Sequence, residues 1–284
     1  MHRRVLIQIA ALVLANPFIS NFAQGSIYQG SLKGICVPFL NCYSCPGAVA
    51  SCPLGALQNV LAAPYTRFPL YVLGFMVLIG GVAGRWICGW LCPFGFFQEL
   101  LGKLSRVKLK LPRRLSWVKY AVLVVTVLTP IFWVDQTGLG GPYFCQYLCP
   151  QGTLTAGLPL VLSDPEVYSP MIGTIFWVKV FILAALLISS IFVFRPFCRV
   201  LCPLGAFYGL FNKYSLFRLN YDSRSCNNCK KCSSSCPVEI NLPREQNAKD
   251  CIRCLKCRDA CPVGALQWSM GNSLGNQETS DTVR

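Results

Sequence analysis

The sequence contains very little histidine and little charge. Its one histidine is His2, and charged residues make up 13% of the 284 residues, against about 25% in a typical soluble domain. A haem bound by two histidines of this chain is therefore excluded, and a zinc site with mixed cysteine and histidine ligands is disfavoured. We expect no haem among the cofactors.

Acidic residues are also scarce, with 11 against 26 lysines and arginines, so the net charge is +15. Such a charge could suit nucleic acid, but the basic residues gather at the ends of apolar runs, as in cytoplasmic loops of membrane proteins. No known nucleic-acid-binding motif is visible. With 54% hydrophobic residues and a mean hydropathy of +0.47, the composition indicates a protein in contact with membrane lipid and without a nucleic-acid partner.

Four apolar stretches predict membrane helices, at residues 5–19, 68–83, 117–134 and 171–194. The first is short and could be a signal peptide, but no small-residue cleavage site follows it, which favours a retained helix. Lysine and arginine are dense between the second and third stretches and after the fourth, whereas residues 21–66 contain only Lys33 and residues 135–171 none. This pattern predicts a multi-pass protein of the cytoplasmic membrane with both termini cytoplasmic.

The chain repeats its cysteine motifs. Cys52-Pro53 precedes the second predicted span and Cys149-Pro150 the fourth; Cys88-x3-Cys92-Pro93 follows the second and Cys198-x3-Cys202-Pro203 the fourth. Such parallel repeats, about 1–115 and 116–219, predict a pseudo-two-fold axis along the membrane normal. We therefore predict an all-α membrane domain of four helices over 1–219, a small α+β ferredoxin domain over 220–270, and a disordered tail at 271–284.

The strongest motif is a pair of Cys-x2-Cys-x2-Cys-x3-Cys-Pro runs near the end of the chain. In such bacterial ferredoxin runs the fourth cysteine binds the other cluster, whereas a zinc ribbon would need only paired Cys-x2-Cys elements. We expect one [4Fe–4S] cluster (cluster 1) on Cys226, Cys229, Cys232 and Cys261, and a second (cluster 2) on Cys251, Cys254, Cys257 and Cys236.

The repeated motifs predict two further clusters. The pseudo-two-fold would bring Cys88, Cys92, Cys198 and Cys202 together at the cytoplasmic surface as an inner cluster, unless they are simply buried cysteines of a helical bundle. An outer cluster is predicted on Cys145, Cys149, Cys52 and Cys45, with Cys42 as a possible ligand. The outer repeat is imperfect because Ala48 stands at the position of Cys145, and the spare cysteines, Cys36 among them, could form a disulfide.

Two ionisable residues near the predicted outer surface have open roles. Lys179 in the fourth span could offset the charge of a cluster, contact a quinone head group, or extend to the membrane surface. Asp135 could accept a proton from a quinol, but a solvated loop carboxylate is the simpler interpretation. The sequence predicts no catalytic residue.

At these motifs the sequence resembles the NapH-like family of membrane 4Fe–4S proteins, which is related to the membrane part of NosR. The resemblance covers residues 10–267 and depends on the paired Cys-x3-Cys-Pro motifs and the double ferredoxin run. It implies four membrane helices and electron transfer to an extracytoplasmic redox partner, and members of the nitrate-reduction branch are regarded as quinol dehydrogenases. The outer segment Cys42-Tyr43-Ser44-Cys45-Pro46 departs from that branch. The sequence is more similar to a branch sometimes encoded beside extracytoplasmic flavoproteins.

These observations lead to one hypothesis and two alternatives. We expect a membrane electron-transfer protein of anaerobic respiration, with four [4Fe–4S] clusters, that connects a cytoplasmic electron donor with an extracytoplasmic flavoprotein or metalloprotein. It would be one component of an oxidoreductase system rather than a stand-alone enzyme. The alternatives are a quinol dehydrogenase subunit of a respiratory chain, with quinone as a partner, and a redox-sensing regulatory membrane protein.

Overall fold

The computed structural model describes residues 2–62, 70–105, 107–132 and 140–270. Asp135 and the predicted tail at 271–284 lie outside these residues. In the described part, helices dominate and one two-stranded sheet is formed. The helices fall into two sets that follow the two sequence repeats.

The first repeat begins with a long helix and ends with two short ones. Its helices are α1 (His2–Ala15), α2 (Asn21–Gln24), α3 (Pro53–Leu61), α4 (Leu70–Ala83), α5 (Trp86–Trp90) and α6 (Pro93–Leu101), with a 3-10 turn at Ser31–Gly34. Both α3 and α6 start with a proline, whose fixed φ and missing N–H suit the first position of a helix. The cysteine before each proline is thereby held at the start of a helix.

The second repeat follows the same order with more irregular turns. Its helices are α7 (Val118–Phe132), α8 (Pro150–Gly152), α9 (Leu158–Ser163), α10 (Pro165–Tyr168), α11 (Thr174–Phe192), α12 (Pro196–Val200) and α13 (Pro203–Phe211). Turns of 3-10 type lie at Arg113–Trp117 and Ser169–Met171, and π-helical turns lie at Phe144–Leu148 and Thr153–Gly157. Helices α8 and α13 again begin with a proline that follows a cysteine.

Two of the four predicted membrane spans contain helices that are long and apolar enough to cross a membrane. They are Arg113–Phe132, with 20 residues, and α11, with 19. Within the described residues, the helices in the other two predicted spans, α1 and α4, have 14 residues each, fewer than the roughly 17–25 that a bilayer requires. Helix α1 ends two residues before Pro17, and α4 ends at Ala83, before Gly84 with its φ of +53°. A domain of four membrane-crossing helices is therefore not confirmed, although a helix forms in each predicted span.

The two repeats pack against each other, and each contributes helices to both sides of the contact. Helix α1 lies on α5 and α6, and its counterpart α7 lies on α12 and α13. Across the centre, α4 of the first repeat packs on α13 of the second, while α11 packs on α6. The rings of Phe94 and Phe197, one from each repeat, meet edge to face with centroids 5.1 Å apart. The inner cysteines of both repeats consequently share one buried core.

A small α+β unit follows the helical domain. Its elements are β1 (Phe217–Tyr221), α14 (Lys231–Ser234), α15 (Lys256–Asp259) and β2 (Leu266–Met270). The strands pair antiparallel, with Leu219 opposite Trp268. The apolar side chains of Leu219, Ile240 and Ile252 pack with cysteines in a core of their own. This is the small ferredoxin-like unit that the sequence predicted.

Candidate iron–sulfur centres

Four helices begin with the same Cys-Pro-x-Gly sequence. The cysteines directly before α3, α6, α8 and α13 are Cys52, Cys92, Cys149 and Cys202. Their φ angles lie between −72° and −68° and their ψ angles between 108° and 130°, because the following proline disfavours the helical region. The free N–H groups and the positive dipole end of each helix favour a thiolate at this position.

The glycine of these motifs leaves room beside the thiols. A Cβ atom at Gly152 would lie 3.5 Å from Cys42 Sγ and 4.0 Å from Cys149 Sγ. A Cβ atom at Gly55 would lie 3.6 Å from Cys145 Sγ. A side chain at either position would enter the space that these thiols surround, so the motif keeps that space open.

The structure brings the four predicted inner cysteines together. Cys88 and Cys92 come from the first repeat and Cys198 and Cys202 from the second, and all four are buried. The side-chain amide of Gln98 donates to Cys198 Sγ at 3.2 Å, and the N–H of Gly205 donates to Cys202 Sγ at 3.3 Å. Hydrogen bonds of this kind stabilise negative charge on sulfur.

The inner thiols lie close enough to affect one another's ionisation. The pKa of Cys92 is raised to about 12, first by burial and then by Cys198 and Cys88. Burial, Cys198 and Cys88 likewise raise the pKa of Cys202. Four buried thiols of this kind become thiolates when iron replaces their protons.

The inner cysteines match a [4Fe–4S] cluster in the type and number of their ligands. Such a cluster is bound by four cysteine thiolates. Two buried cysteines from each repeat supply that number.

A second set of cysteines surrounds a cavity at the other ends of α4 and α11. The cavity has a volume of about 470 Å³, and its cysteines are Cys36, Cys42, Cys52, Cys145 and Cys149. Burial raises the pKa of Cys149 to about 12, with Cys42 as the next cause, and burial, followed by Cys149, Cys52 and Cys42, raises the pKa of Cys145. We call Cys42, Cys52, Cys145 and Cys149 the outer set.

Cys42 and Cys45, the alternatives for the fourth outer ligand, have different surroundings. Cys42 lies beside Cys149 across Gly152, whereas the Sγ of Cys45 lies 3.6 Å from Oδ1 of Asn16 on α1. Cys45 does not line the cavity. The structure therefore brings Cys42, rather than Cys45, together with the three other predicted outer ligands.

Two lysines lie near the outer set. The ammonium group of Lys179 on α11 donates to the carbonyl of Cys145 at 3.2 Å. Lys33 is buried beside Cys42 and Cys45, and its ammonium group donates to the carbonyl of Tyr43. Burial lowers the pKa of Lys33, and the two cysteines oppose that shift. Positive charge thus accompanies the outer thiols.

The ferredoxin unit brings seven of its eight cysteines together in the two predicted groups. Cys236, Cys251, Cys254 and Cys257 line one apolar cavity. Cys226 and Cys261 both raise the pKa of Cys232, after the larger effect of burial, so these three also lie together. Cys229, the remaining member of that group, is exposed.

The ferredoxin unit docks on the inner cysteines through the loop that carries Cys251. The amide of Asn212 donates to the carbonyl of Cys251 at 2.7 Å, and the indole of Trp90 donates to the carbonyl of Arg253 at 2.9 Å. The buried guanidinium of Arg253 in turn donates to the carbonyl of Ala83 at 3.0 Å. Trp90 stands between the two inner cysteines of the first repeat, so the second ferredoxin group directly adjoins the inner set.

Sequence reasoning missed the polar residues around the inner set. It counted Arg195 among the charges that set membrane orientation and gave Arg85 no role beyond its place in the repeated motif, yet both are fully buried next to the inner cysteines. It also gave no role to Tyr208, which is buried in the same core. The signal for the arginines was present, because each stands three residues before the first cysteine of a repeated motif.

Comparisons with known proteins agree on iron–sulfur chemistry. A 4Fe–4S binding domain family matches residues 68–112, 119–162 and 175–221, and a 4Fe–4S dicluster domain family matches residues 218–262. No solved structure matches the chain.

Several curated proteins are similar to the chain over most of its length. The uncharacterized protein MJ0750 of Methanocaldococcus jannaschii is 34% identical over 70% of this chain and 77% of its own length. The putative electron transport protein YccM of Escherichia coli is 28% identical over 70% of this chain and 56% of its own length. The ferredoxin-type protein NapH of Haemophilus influenzae is 25% identical over 81% of this chain and 71% of its own length. The match to YccM thus spans little more than half of that relative.

Proposed function

From the premise that the chain belongs to the NapH- and NosR-related family of 4Fe–4S electron-transfer proteins, we propose that it conducts electrons across a membrane. The observation that supports this most strongly is the pair of cysteine sets at the two ends of α4 and α11. Each set draws two cysteines from each repeat or its loop, and four thiolates suit one [4Fe–4S] cluster.

The proposed ligands follow the geometry of the four groups. Cluster 1 would be held by Cys226, Cys229, Cys232 and Cys261, and cluster 2 by Cys236, Cys251, Cys254 and Cys257. The inner cluster would be held by Cys88, Cys92, Cys198 and Cys202, and the outer cluster by the outer set, with Cys42 in place of Cys45. Four clusters would contain about sixteen irons in each chain.

A buried tyrosine lies between the two membrane sets. Tyr208 on α13 is fully buried in the core that the inner and outer cysteines share. Its pKa is raised well above the usual value, first by burial and then by cysteines on both sides, namely Cys88 and Cys202 of the inner set and, on the outer side, Cys52 and Cys36. The ring of Tyr208 is therefore a candidate element of the path between the two sets.

The membrane arrangement is part of the same proposal. The segment Arg113–Phe132 and helix α11 would cross the bilayer, and α1 and α4 would complete a four-helix bundle with both termini in the cytoplasm. Basic residues flank the ferredoxin side of these helices and are nearly absent from the loops on the side of the outer set. The ferredoxin unit would therefore face the cytoplasm.

The two exposed ends suggest where the partners bind. The exposed Cys229 in the first ferredoxin group would receive electrons from a cytoplasmic donor. The cavity at the outer set would face an extracytoplasmic flavoprotein or metalloprotein. The reverse direction of electron flow uses the same residues.

Quinol oxidation is the second candidate, and the outer cavity favours it. A volume of about 470 Å³ is within the range of small-molecule sites, and its lining combines Tyr43, Asn59, Tyr71 and Gln151 with apolar side chains. Reduction of the purified protein by a soluble quinol analogue would support this candidate. Its failure, with all clusters still reducible by dithionite, would favour conduction alone.

Iron and acid-labile sulfide per chain, measured on anaerobically purified protein, test the proposed cluster content. About sixteen of each would support four clusters, whereas about eight would leave only the ferredoxin pair. Cys92→Ser should lower the iron content by about four and leave the ferredoxin signals in electron paramagnetic resonance (EPR) spectra unchanged. An unchanged iron content in that variant would contradict the inner site.

A further inference from the structure

Two arginines occupy equivalent places beside the inner cysteines. Arg85 and Arg195 each precede the first inner cysteine of their repeat by three residues, and their exposures are 0% and 1%. Arginine keeps its positive charge in such surroundings. A buried cation is costly unless negative charge compensates it, so each guanidinium requires an anionic neighbour.

The two side chains cross to the opposite repeat. Arg85 from the first repeat donates through Nη2 to the carbonyl of Cys198 in the second, at 3.0 Å. Arg195 from the second repeat donates through Nη1 to the carbonyl of Cys88 in the first. The same pattern in both directions follows the pseudo-two-fold and places each guanidinium against the cysteines of the other half.

Glycines of the Cys-Pro-x-Gly motifs admit these guanidinium groups. A Cβ atom at Gly205 would lie 3.3 Å from Nη2 of Arg85, and a Cβ atom at Gly95 would lie 2.8 Å from Nη1 of Arg195. Any larger residue would push the guanidinium away from the start of the helix. The lack of a side chain at this glycine therefore leaves space for the arginine of the opposite repeat as well as for the neighbouring thiol.

Each arginine shares a carboxylate with a second cation. Arg195 pairs with Glu99 through Nε at 3.0 Å, and Glu99 also pairs with Arg4 of α1. On the other side, Arg85 lies 3.5 Å from Asp250, which also pairs with Lys119 of α7. Together, the four cations and two carboxylates of these ion pairs carry a net charge of two positive units. An oxidised cluster with four thiolates carries about two negative charges.

The carboxylate on the Arg85 side comes from the ferredoxin unit. Glu99 stands seven residues after Cys92, and the position seven residues after Cys202 is Gly209. A Cβ atom at Gly209 would lie 2.8 Å from the carbonyl oxygen of Lys249. The second repeat thus lacks its own carboxylate, and the ferredoxin loop occupies the vacated space and brings Asp250.

Both guanidinium groups also retain unused donors. Across the described residues, Nε of Arg85 and Nη2 of Arg195 are buried without a hydrogen-bond partner. Burial of such donors without an acceptor is unfavourable. The cysteine sulfurs and the sulfides of a bound cluster are acceptors that could satisfy them.

We propose that Arg85 and Arg195 are crossed counterions of the inner cluster, which donate hydrogen bonds to its sulfur atoms and raise its reduction potential. The inference depends on the proposed inner cluster. Reduction adds negative charge, so nearby cations favour the reduced state, and net charge and hydrogen bonds to sulfur are the factors that set cluster potentials. Docking of the ferredoxin unit, through Asp250, completes the charge balance on the Arg85 side.

An EPR-monitored redox titration of purified full-length protein tests the proposal, with iron content measured on each sample. Arg195→Gln should shift the inner potential to lower values, and Glu99→Gln should shift it to higher values. Arg195→Lys keeps the charge and should retain the iron and most of the potential. Opposite shifts for the arginine and glutamate variants would support electrostatic control, because a merely structural role predicts no such sign change.

The outcomes separate this proposal from the proposed function. If the unmodified protein lacks the inner EPR signal and its four irons, the proposed function fails at that site. If the signal is present but Arg195→Gln leaves its potential unchanged, the counterion role is wrong. Loss of the inner cluster from Arg195→Lys as well as Arg195→Gln would also contradict it, because lysine keeps the positive charge.

Discussion

The carbonyl oxygen of Ile252 lies so close to Gly89 that a Cβ atom there would be only 2.2 Å away. Gly89 follows the first inner cysteine, and Ile252 follows the first cysteine of the second ferredoxin run. No side chain can occupy that position while the loop stays docked. The ferredoxin unit is thus held directly on the inner cysteines by backbone contact, which favours a fixed electron path over a mobile shuttle.

Substitution of Gly89 tests this docking. Gly89→Ala should displace the Cys251 loop and slow electron transfer from the ferredoxin clusters to the inner cluster, because the new methyl group overlaps the Ile252 carbonyl. Gly74→Ala is the matched control, since a Cβ atom there meets nothing within 4 Å. Rapid-mixing spectroscopy with a ferredoxin-specific reductant gives the rate. Equal rates in both variants, with full iron content, would contradict the docking.

The outer ligand set predicts a difference between two neighbouring cysteines. Cys42→Ser should remove the outer cluster and lower the iron content by about four, because Cys42 lines the cavity beside Cys149. Cys45→Ser should keep the iron, because that thiol contacts Asn16 outside the cavity. Iron analysis and EPR of the two variants decide the matter. Loss of iron from Cys45→Ser alone would restore the ligand set first predicted from the sequence.

The packing of Tyr208 between the two sets predicts a dependence on its ring. Its hydroxyl is buried without a hydrogen-bond partner among the described residues, so Tyr208→Phe should leave stability and electron transfer nearly unchanged. Tyr208→Leu leaves a void in the shared core and should slow transfer from the inner to the outer cluster, at a stability cost of about 2 kcal/mol. Flash-reduction kinetics measure the rate. Identical rates for all three proteins would remove Tyr208 from the path.

The Asp250 ion pairs predict how the docked state depends on charge and pH. Burial alone would raise the pKa of Asp250, but Lys119 and Arg85 outweigh it and hold the pKa below its usual value. A carboxylate with a lowered pKa stabilises the folded state above its unfolded pKa of about 3.9, and this stabilisation is lost only as the pH falls through the lower folded value. Between pH 5 and 7 the contribution should be constant.

Asp250→Asn should therefore lower stability at pH 5, by about 3 kcal/mol, because the buried Lys119 ammonium loses its carboxylate partner. Thermal loss of the ferredoxin absorbance measures the effect. Asp259→Asn is a suitable control, since Asp259 is exposed and pairs with the exposed Arg258 on its own helix. Equal losses of stability in the two variants would show that the Asp250 ion pairs contribute no more to stability than an exposed ion pair does.

Much of this architecture could be predicted from the cysteines and prolines. The ferredoxin runs, the helix starts at Cys-Pro and the convergence of Cys88 with Cys198 all follow from local spacing or from the repeat. The choice between Cys42 and Cys45 could not, because it depends on the fold of a loop in which Asn41 donates to Ala50 and Cys36 bridges to Ser51. A helix forms in each predicted span, but within the described residues only Arg113–Phe132 and α11 are long enough to cross a membrane.

The buried arginines beside the inner cysteines could not be predicted from the sequence for a different reason. Arginines at the ends of apolar runs normally set membrane orientation, and only alignment of the repeats reveals that Arg85 and Arg195 are equivalent. The ferredoxin unit can dock because Gly89 and Gly209 have no side chains that would meet its loop. A glycine in the sequence does not by itself reveal which other segment approaches it.

Electron transfer through sealed vesicles tests the central claim most directly. The protein is reconstituted with its ferredoxin unit facing outward, an impermeant reductant is added outside, and an impermeant acceptor is trapped inside. The account predicts rapid reduction of the trapped acceptor by the unmodified protein and by Cys45→Ser, and loss of this reduction in Cys149→Ser, which lacks an outer ligand. Equal reduction in Cys149→Ser, or none with the unmodified protein carrying all four clusters, would contradict conduction across the membrane.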